Sequence, residues 1–154
     1  MMQARYSIGW RPTVILPDVN ILVHAFREDS PRHAELRPWL QALVHSESSF
    51  GLSELVLSGF LRVVTHPRVF DPPTPLDDAL AFAEALRSSP NCVLLAPGAR
   101  HWAIFTRLCR ASDARGNFVP DAYLAALAIE SGSEWITTDN DFSRFEGLRV
   151  RFVS

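Results

Sequence analysis

Four acidic residues carry the chemistry this sequence offers: Asp18 in ILPDVNIL, Glu54 in GLSELV, Asp121 in VPDAYLAA and Asp139 in ITTDNDF. Each stands at the start of a helix-like segment, and Asp18 and Asp139 directly follow short apolar or β-branched runs that read as strands. Taken singly, each is explained by helix capping, which stabilises by up to about 1 kcal/mol. Taken together they imply more, because the carboxyl ends of parallel strands in an open α/β sheet share one crevice. Carboxylates gathered there raise one another's pKa, and a divalent cation removes the repulsion. An oxygen-only ligand set of Asp18, Glu54, Asp121 and Asp139 suits Mg²⁺ or Mn²⁺ rather than zinc. Phosphodiester hydrolysis is the reaction that such an ion serves best, by activating water and offsetting charge on the leaving oxygen. Asn20, Ser53, Asn117 and Thr138 lie close enough in sequence to orient ligands or waters, although each equally suits a turn or a cap.

Other chemistries lack their residues. His24, His33, His45, His66 and His101 are scattered without HExxH-like spacing, which argues against zinc. No GxSxG elbow surrounds Ser53 or Ser58. All 15 basic residues are arginine, so the lysine of a Walker phosphate loop or of a phosphoryl-accepting receiver domain is missing. A haloacid-type phosphatase wants DxD after its first strand, whereas Asp18 is followed two places on by Asn20. A glycosidase would need only two carboxylates, but no long sugar groove is evident.

The 154 residues make one domain able to bury its own core, with 47% hydrophobic and 21% charged residues in the range of soluble globular proteins. No apolar run approaches the roughly 20 residues of a membrane-spanning helix, and residues 1–12 lack the apolar core of a secretory signal. They read as an N-terminal extension preceding a domain over 13–154. Cys92 and Cys109 read as reduced core residues, consistent with a cytoplasmic location. A net charge of −2 does not advertise nucleic-acid binding in bulk. A local patch of Arg100, Arg107, Arg110 and Arg115 precedes Asp121, and arginines there suit phosphate contacts as well as they suit a solvated helix face.

The elements that must position the acids follow from periodicity. Strands are expected over 13–16, 48–52, 93–95, 135–138 and 148–153, alternating with helices. Ser30 and Pro31 suggest the start of the second helix, with Pro38 kinking or delaying it. Leu55, Val56, Phe60, Val63 and Val64 make the buried side of the third. HPRVFDPPTP holds four prolines and reads as a loop, Asp121 to Glu130 as an alanine-rich helix, and Gly132 as its cap; the tryptophans look structural. Strand–helix alternation argues for an α/β fold, a three-layer α/β/α sandwich on a mainly parallel central sheet.

Four segments, PDVNILVHAF, LSELVLSGFLRVVTHPRVF, PDAYLAALAIE and TTDNDF, resemble in this order the PIN-domain ribonucleases of the VapC toxin group. The likeness runs from about residue 13 to the C-terminus, and its most specific parts are DxN after the first strand and TTDxDF near the end. It implies that Asp18, Glu54, Asp121 and Asp139 bind Mg²⁺ or Mn²⁺, and that Asp141 matches a further acid which approaches the site less consistently. It also implies an endoribonuclease acting on structured RNA such as tRNA or rRNA, a VapB-like antitoxin as inhibitor, and a homodimer. A non-catalytic PIN-like binding module and a PIN nuclease of RNA processing are the alternatives.

Overall fold

The computed structural model describes residues 13–153, so the expected extension 1–12, with Trp10, lies outside the described residues. Five short strands, β1 Ile15–Pro17, β2 Phe50–Leu52, β3 Cys92–Leu94, β4 Glu134–Thr137 and β5 Val150–Phe152, form one sheet in the order β3-β2-β1-β4-β5. Every pairing in it is parallel. Six helices flank it: α1 Val19–Phe26, α2 His33–Val44, α3 Glu54–Val64, α4 Leu76–Arg87, α5 His101–Ser112 and α6 Phe118–Ser131. A 3₁₀ helix, Asn140–Arg144, links β4 to β5. This is the expected α/β architecture, and its winding matters for function. From β1 the chain runs outward through β2 and β3, then returns to lay β4 and β5 on the other side of β1. Such a reversal opens a crevice beyond the carboxyl ends of the two central strands, here β1 and β4.

Burial explains why these residues form these elements. Leu16, Phe50, Leu52, Trp135 and Ile136 are fully buried in the sheet, so the strands read as apolar runs rather than as alternating patterns. Phe26, Phe60 and Phe82 clasp α1, α3 and α4 with ring centroids 4.8–5.4 Å apart. Phe60, fully buried, contributes roughly 1.5–3 kcal/mol, and the partly buried Phe26 and Phe82 contribute less. Gly59 sets how closely α3 approaches the start of α1, because a Cβ there would lie 2.9 Å from Val19 Cγ2. Gly132 ends α6 as expected, at φ +65°, with its N–H on the carbonyls of Ala128 and Ile129.

Several expectations need correction. The second helix starts at His33 rather than beside Ser30, whose buried hydroxyl instead bonds His24 Nδ1. Helix α2 has already begun at His33 when it reaches Pro38, so the proline does not delay its start. Helix α6 begins three residues before Asp121, with Pro120 in the first turn where its missing N–H has no helical partner to lose. Leu55 and Trp102 are 46% and 68% exposed, so neither belongs to the core. The proline-rich segment is a loop, as expected, and it is pinned. Arg27 donates to Thr74 Oγ1 at 3.1 Å and lies 4.2 Å over the Phe70 ring, which fixes where α4 starts.

Candidate active site

The crevice beyond β1 and β4 is built by two aspartates and a threonine. Asp18 continues the β1 ladder through its N–H to the Ile136 carbonyl (2.8 Å) and then caps α1, its Oδ1 accepting from Val19 N–H at 2.6 Å. Its Oδ2 accepts from the Thr137 hydroxyl at 2.7 Å. The same hydroxyl accepts from Asp139 N–H at 3.0 Å, so one side chain at the end of β4 ties both acids together. Asp139 in turn caps the 3₁₀ helix by accepting from Asp141 N–H at 2.9 Å. That helix is anchored by Phe142, fully buried with its ring 5.2 Å from Trp135. Asp121 comes from the first turns of α6, which lays Ala122, Ala125 and Ala126 into the core.

Asp18, Asp121 and Asp139 line one cleft of about 520 Å³ together with Asn20, Ser58, Arg62 and Asn117. The electrostatics record their proximity. Burial first of all, together with the charges of Asp121 and Asp139, pushes the Asp18 carboxyl up to about 6, although Thr137 and the Val19 N–H pull it down. Asp121 is likewise pushed up to about 6, by burial and then by Asp139 and Asp141. Among the described residues no arginine or histidine forms an ion pair with any of the three. Among the described residues the three carboxylates therefore have no paired counter-charge.

Glu54 stands apart. It opens α3 as expected, but Ser53 provides the cap, accepting from Leu55 N–H at 3.1 Å. The Glu54 side chain is 82% exposed and lies 3.7 Å from Arg87. It borders a second, mostly apolar cavity of about 580 Å³ walled by Leu94, Leu95, Phe105 and Tyr123, as does Ser53. Leu55 and Pro120 line both cavities, so the two are neighbours across one ridge. With Glu54 turned away and Asp139 engaged as a cap, no three His, Cys, Asp or Glu side chains among the described residues stand close enough to enclose an ion as placed.

Of the other expected residues, Asn20 and Asn117 line the acidic cleft, and Asp141 acts on Asp121 through its charge. Thr138 does not hold an acid; its neighbour Thr137 does. Arg107, Arg110 and Arg115 do not line the cleft, and Arg115 pairs with Asp113 at 3.0 Å. The arginine on the cleft wall is Arg62 of α3, which the sequence reading did not single out.

A doubly wound parallel sheet with carboxylates at its switch point defines an α/β domain whose acidic crevice lies where such folds place their ligands. Comparison with known proteins names the group. Residues 15–148 match the PIN domain. Ribonuclease VapC43 of Mycobacterium tuberculosis is 45% identical over 134 residues, covering 87% of this chain and 91% of its own. Ribonuclease VapC25 of the same organism is 40% identical, covering 88% and 96%. The VapBC2 complex of Rickettsia felis shares the fold with a TM-score of 0.67 at 16% identity, covering 91% of this chain and 98% of its own. The chain belongs to the PIN-domain family, in its VapC ribonuclease branch.

Proposed function

We propose that this protein is the ribonuclease toxin of a VapBC pair and cleaves structured RNA, tRNA or rRNA, with a divalent ion held by Asp18, Asp121 and Asp139. One observation carries the reading: three carboxylates share a cleft, two of them pushed up to about 6, with no cation among the described residues paired to them. Their chemistry fits Mg²⁺ or Mn²⁺, hard ions that take carboxylate oxygens and keep much of their water. Each carboxylate oxygen engaged by a backbone N–H or by Thr137 keeps a second lone pair for a ligand. When bound, such an ion lowers the pKa of water and offsets charge on the phosphate oxygens.

The chain's own residues do the rest. Thr137 holds Asp18 and the Asp139 backbone in register, Asp141 adds negative charge beside Asp121, and Asn20 and Asn117 offer polar groups along the wall. Glu54, at the first residue of α3, would join the set by leaving its exposed contact with Arg87. Exposed Leu55 and Leu94 on the apolar cavity, with exposed Trp102 packed 5.5 Å from its wall residue Phe105, support assembly with other chains, a VapB-like antitoxin and a second copy. Among the described residues no helix is long and apolar enough to cross a membrane. The test is thermal melting of EDTA-stripped protein with and without Mn²⁺, beside cleavage of total tRNA and rRNA. A rise in melting temperature and Mn²⁺-dependent products are expected. A melting temperature indifferent to millimolar Mn²⁺ and intact RNA after long incubation would favour a non-catalytic binding module instead.

A further inference from the structure

We infer that Arg62 is the phosphate-positioning residue of the cleft: it grips an RNA phosphate beside the carboxylates, while the arginines of α5 do not. The proposal rests on the RNA-cleaving reading of the same site. On α3, Leu55, Ser58, Gly59 and Arg62 recur at helical spacing and all line the acidic cleft, so Arg62 sits about two turns along the wall that faces Asp18 and Asp121. The close packing of Gly59 against Val19 holds that wall near the carboxyl end of β1.

The guanidinium makes no hydrogen bond with any described residue, and no ion pair within 4.0 Å of a carboxylate, although three carboxylates line the same cleft. A cation that approached those acids would occupy the place of the metal. Held along the wall, it is left to a different anion. Arginine's planar fork matches two phosphate oxygens, and its charge counters the repulsion that an acidic cleft in a chain of net charge −2 exerts on RNA. Ser58 and Asn20, on α3 and α1, add further polar groups to the lining of the same cleft.

The experiment measures binding of a fluorescein-labelled mixed-sequence RNA hairpin in EDTA, by anisotropy across a salt series. It compares the wild type with Arg62→Ala, Arg62→Lys and, as a charge-matched control, Arg37→Ala on the exposed face of α2. Arg62→Ala should weaken binding about three- to tenfold and flatten the slope of log K against log salt by about 0.7 to 0.9, one phosphate contact. Arg62→Lys should recover the slope, and Arg37→Ala should leave it within error of the wild type. In all four proteins the Mn²⁺-induced rise in melting temperature should persist. Equal slopes for Arg62→Ala and wild type, with wild-type binding intact, would overturn the role of Arg62 and leave the nuclease reading standing. A wild type that binds no RNA and ignores Mn²⁺ would sink both.

Discussion

Asp18 and Glu54 invite comparison, since each follows a strand, stands at the threshold of a helix and has the same expected role. They end in opposite states. Asp18 is 5% exposed, with both oxygens fixed by hydrogen bonds, whereas the side chain of Glu54 is 82% exposed and its only described charge partner, Arg87, is 3.7 Å away. Position in the sheet separates them. Asp18 leaves β1, one wall of the switch-point crevice, and Glu54 leaves β2, one strand further out. Local work separates them again: Asp18 is itself the cap of α1, while Ser53 caps α3 and leaves Glu54 with no backbone group to hold. One acid is built into the fold at an electrostatic cost, and the other is held only by an exposed contact.

The largest expected effect breaks the fixed member. Asp18→Asn should lower RNA cleavage by at least about 100-fold, since a displaced ligand and orienting group each cost factors of this size. It should also abolish the Mn²⁺-induced rise in melting temperature, while circular dichroism remains that of the folded protein. Undiminished cleavage would remove Asp18 from the site.

Next in size is a pH dependence carried by the buried and half-buried acids of the cleft. The Asp18 carboxyl moves from 3.8 to about 6 on folding, so between those values the native state binds more protons than the unfolded chain. The contribution of Asp18 to the stability of the metal-free protein therefore falls as pH rises from about 4 to about 6, and stays lower above. At about 1.4 kcal/mol per pKa unit, Asp18 contributes on the order of 2–3 kcal/mol of loss, and half-buried Asp121 adds less. Urea denaturation from pH 4 to pH 7.5 measures it, and Asp18→Asn should flatten the profile. A metal-free stability that climbs over this range would contradict the picture of uncompensated carboxylates.

Glu54→Gln should behave differently. If the side chain turns into the cleft on metal binding, cleavage falls about tenfold, yet metal-free stability changes by less than about 0.5 kcal/mol, because an exposed contact to Arg87 is worth little. Wild-type rates for Glu54→Gln would restrict the metal set to the three aspartates.

The same contrast explains what the sequence disclosed. DVN after an apolar run and TTDND before an aromatic both announce strand ends with capping aspartates, and the spacing of strands and helices announces a parallel sheet. Strand order was not legible in spacing, and strand order decides that β1 and β4 share the crevice while β2 does not. Register was equally hidden. Pro17 pairs with Ile136, so Asp18 stands level with Thr137 rather than Thr138, and nothing local distinguishes two adjacent threonines. Arg62 lay in plain view at helical spacing from Leu55 and Ser58, but only packing shows that this stripe faces the acids. Arg107 and Arg110 are near Asp121 in sequence, yet α5 carries them outside the cleft.

Thr137→Val is the smallest of these effects and the most specific. It removes the hydroxyl that donates to Asp18 and accepts from the Asp139 N–H, leaving two groups short of a partner at a fully buried position. An unsatisfied buried group costs about 1–3 kcal/mol, of which the crevice's access to water should recover part. A loss near 1 kcal/mol corresponds to about 2–4 °C in melting temperature for a chain of this size. The hydroxyl also pulls the Asp18 carboxyl down, so without it that carboxyl rises further and the fall in stability extends to higher pH. Thr137→Ser keeps the hydroxyl and should preserve the wild-type pH profile even if the lost methyl lowers the melting temperature. Were Val and Ser to shift the profile alike, Thr137 would be a packing residue, and the rigidity that sets Asp18 apart from Glu54 would have to come from the α1 cap alone.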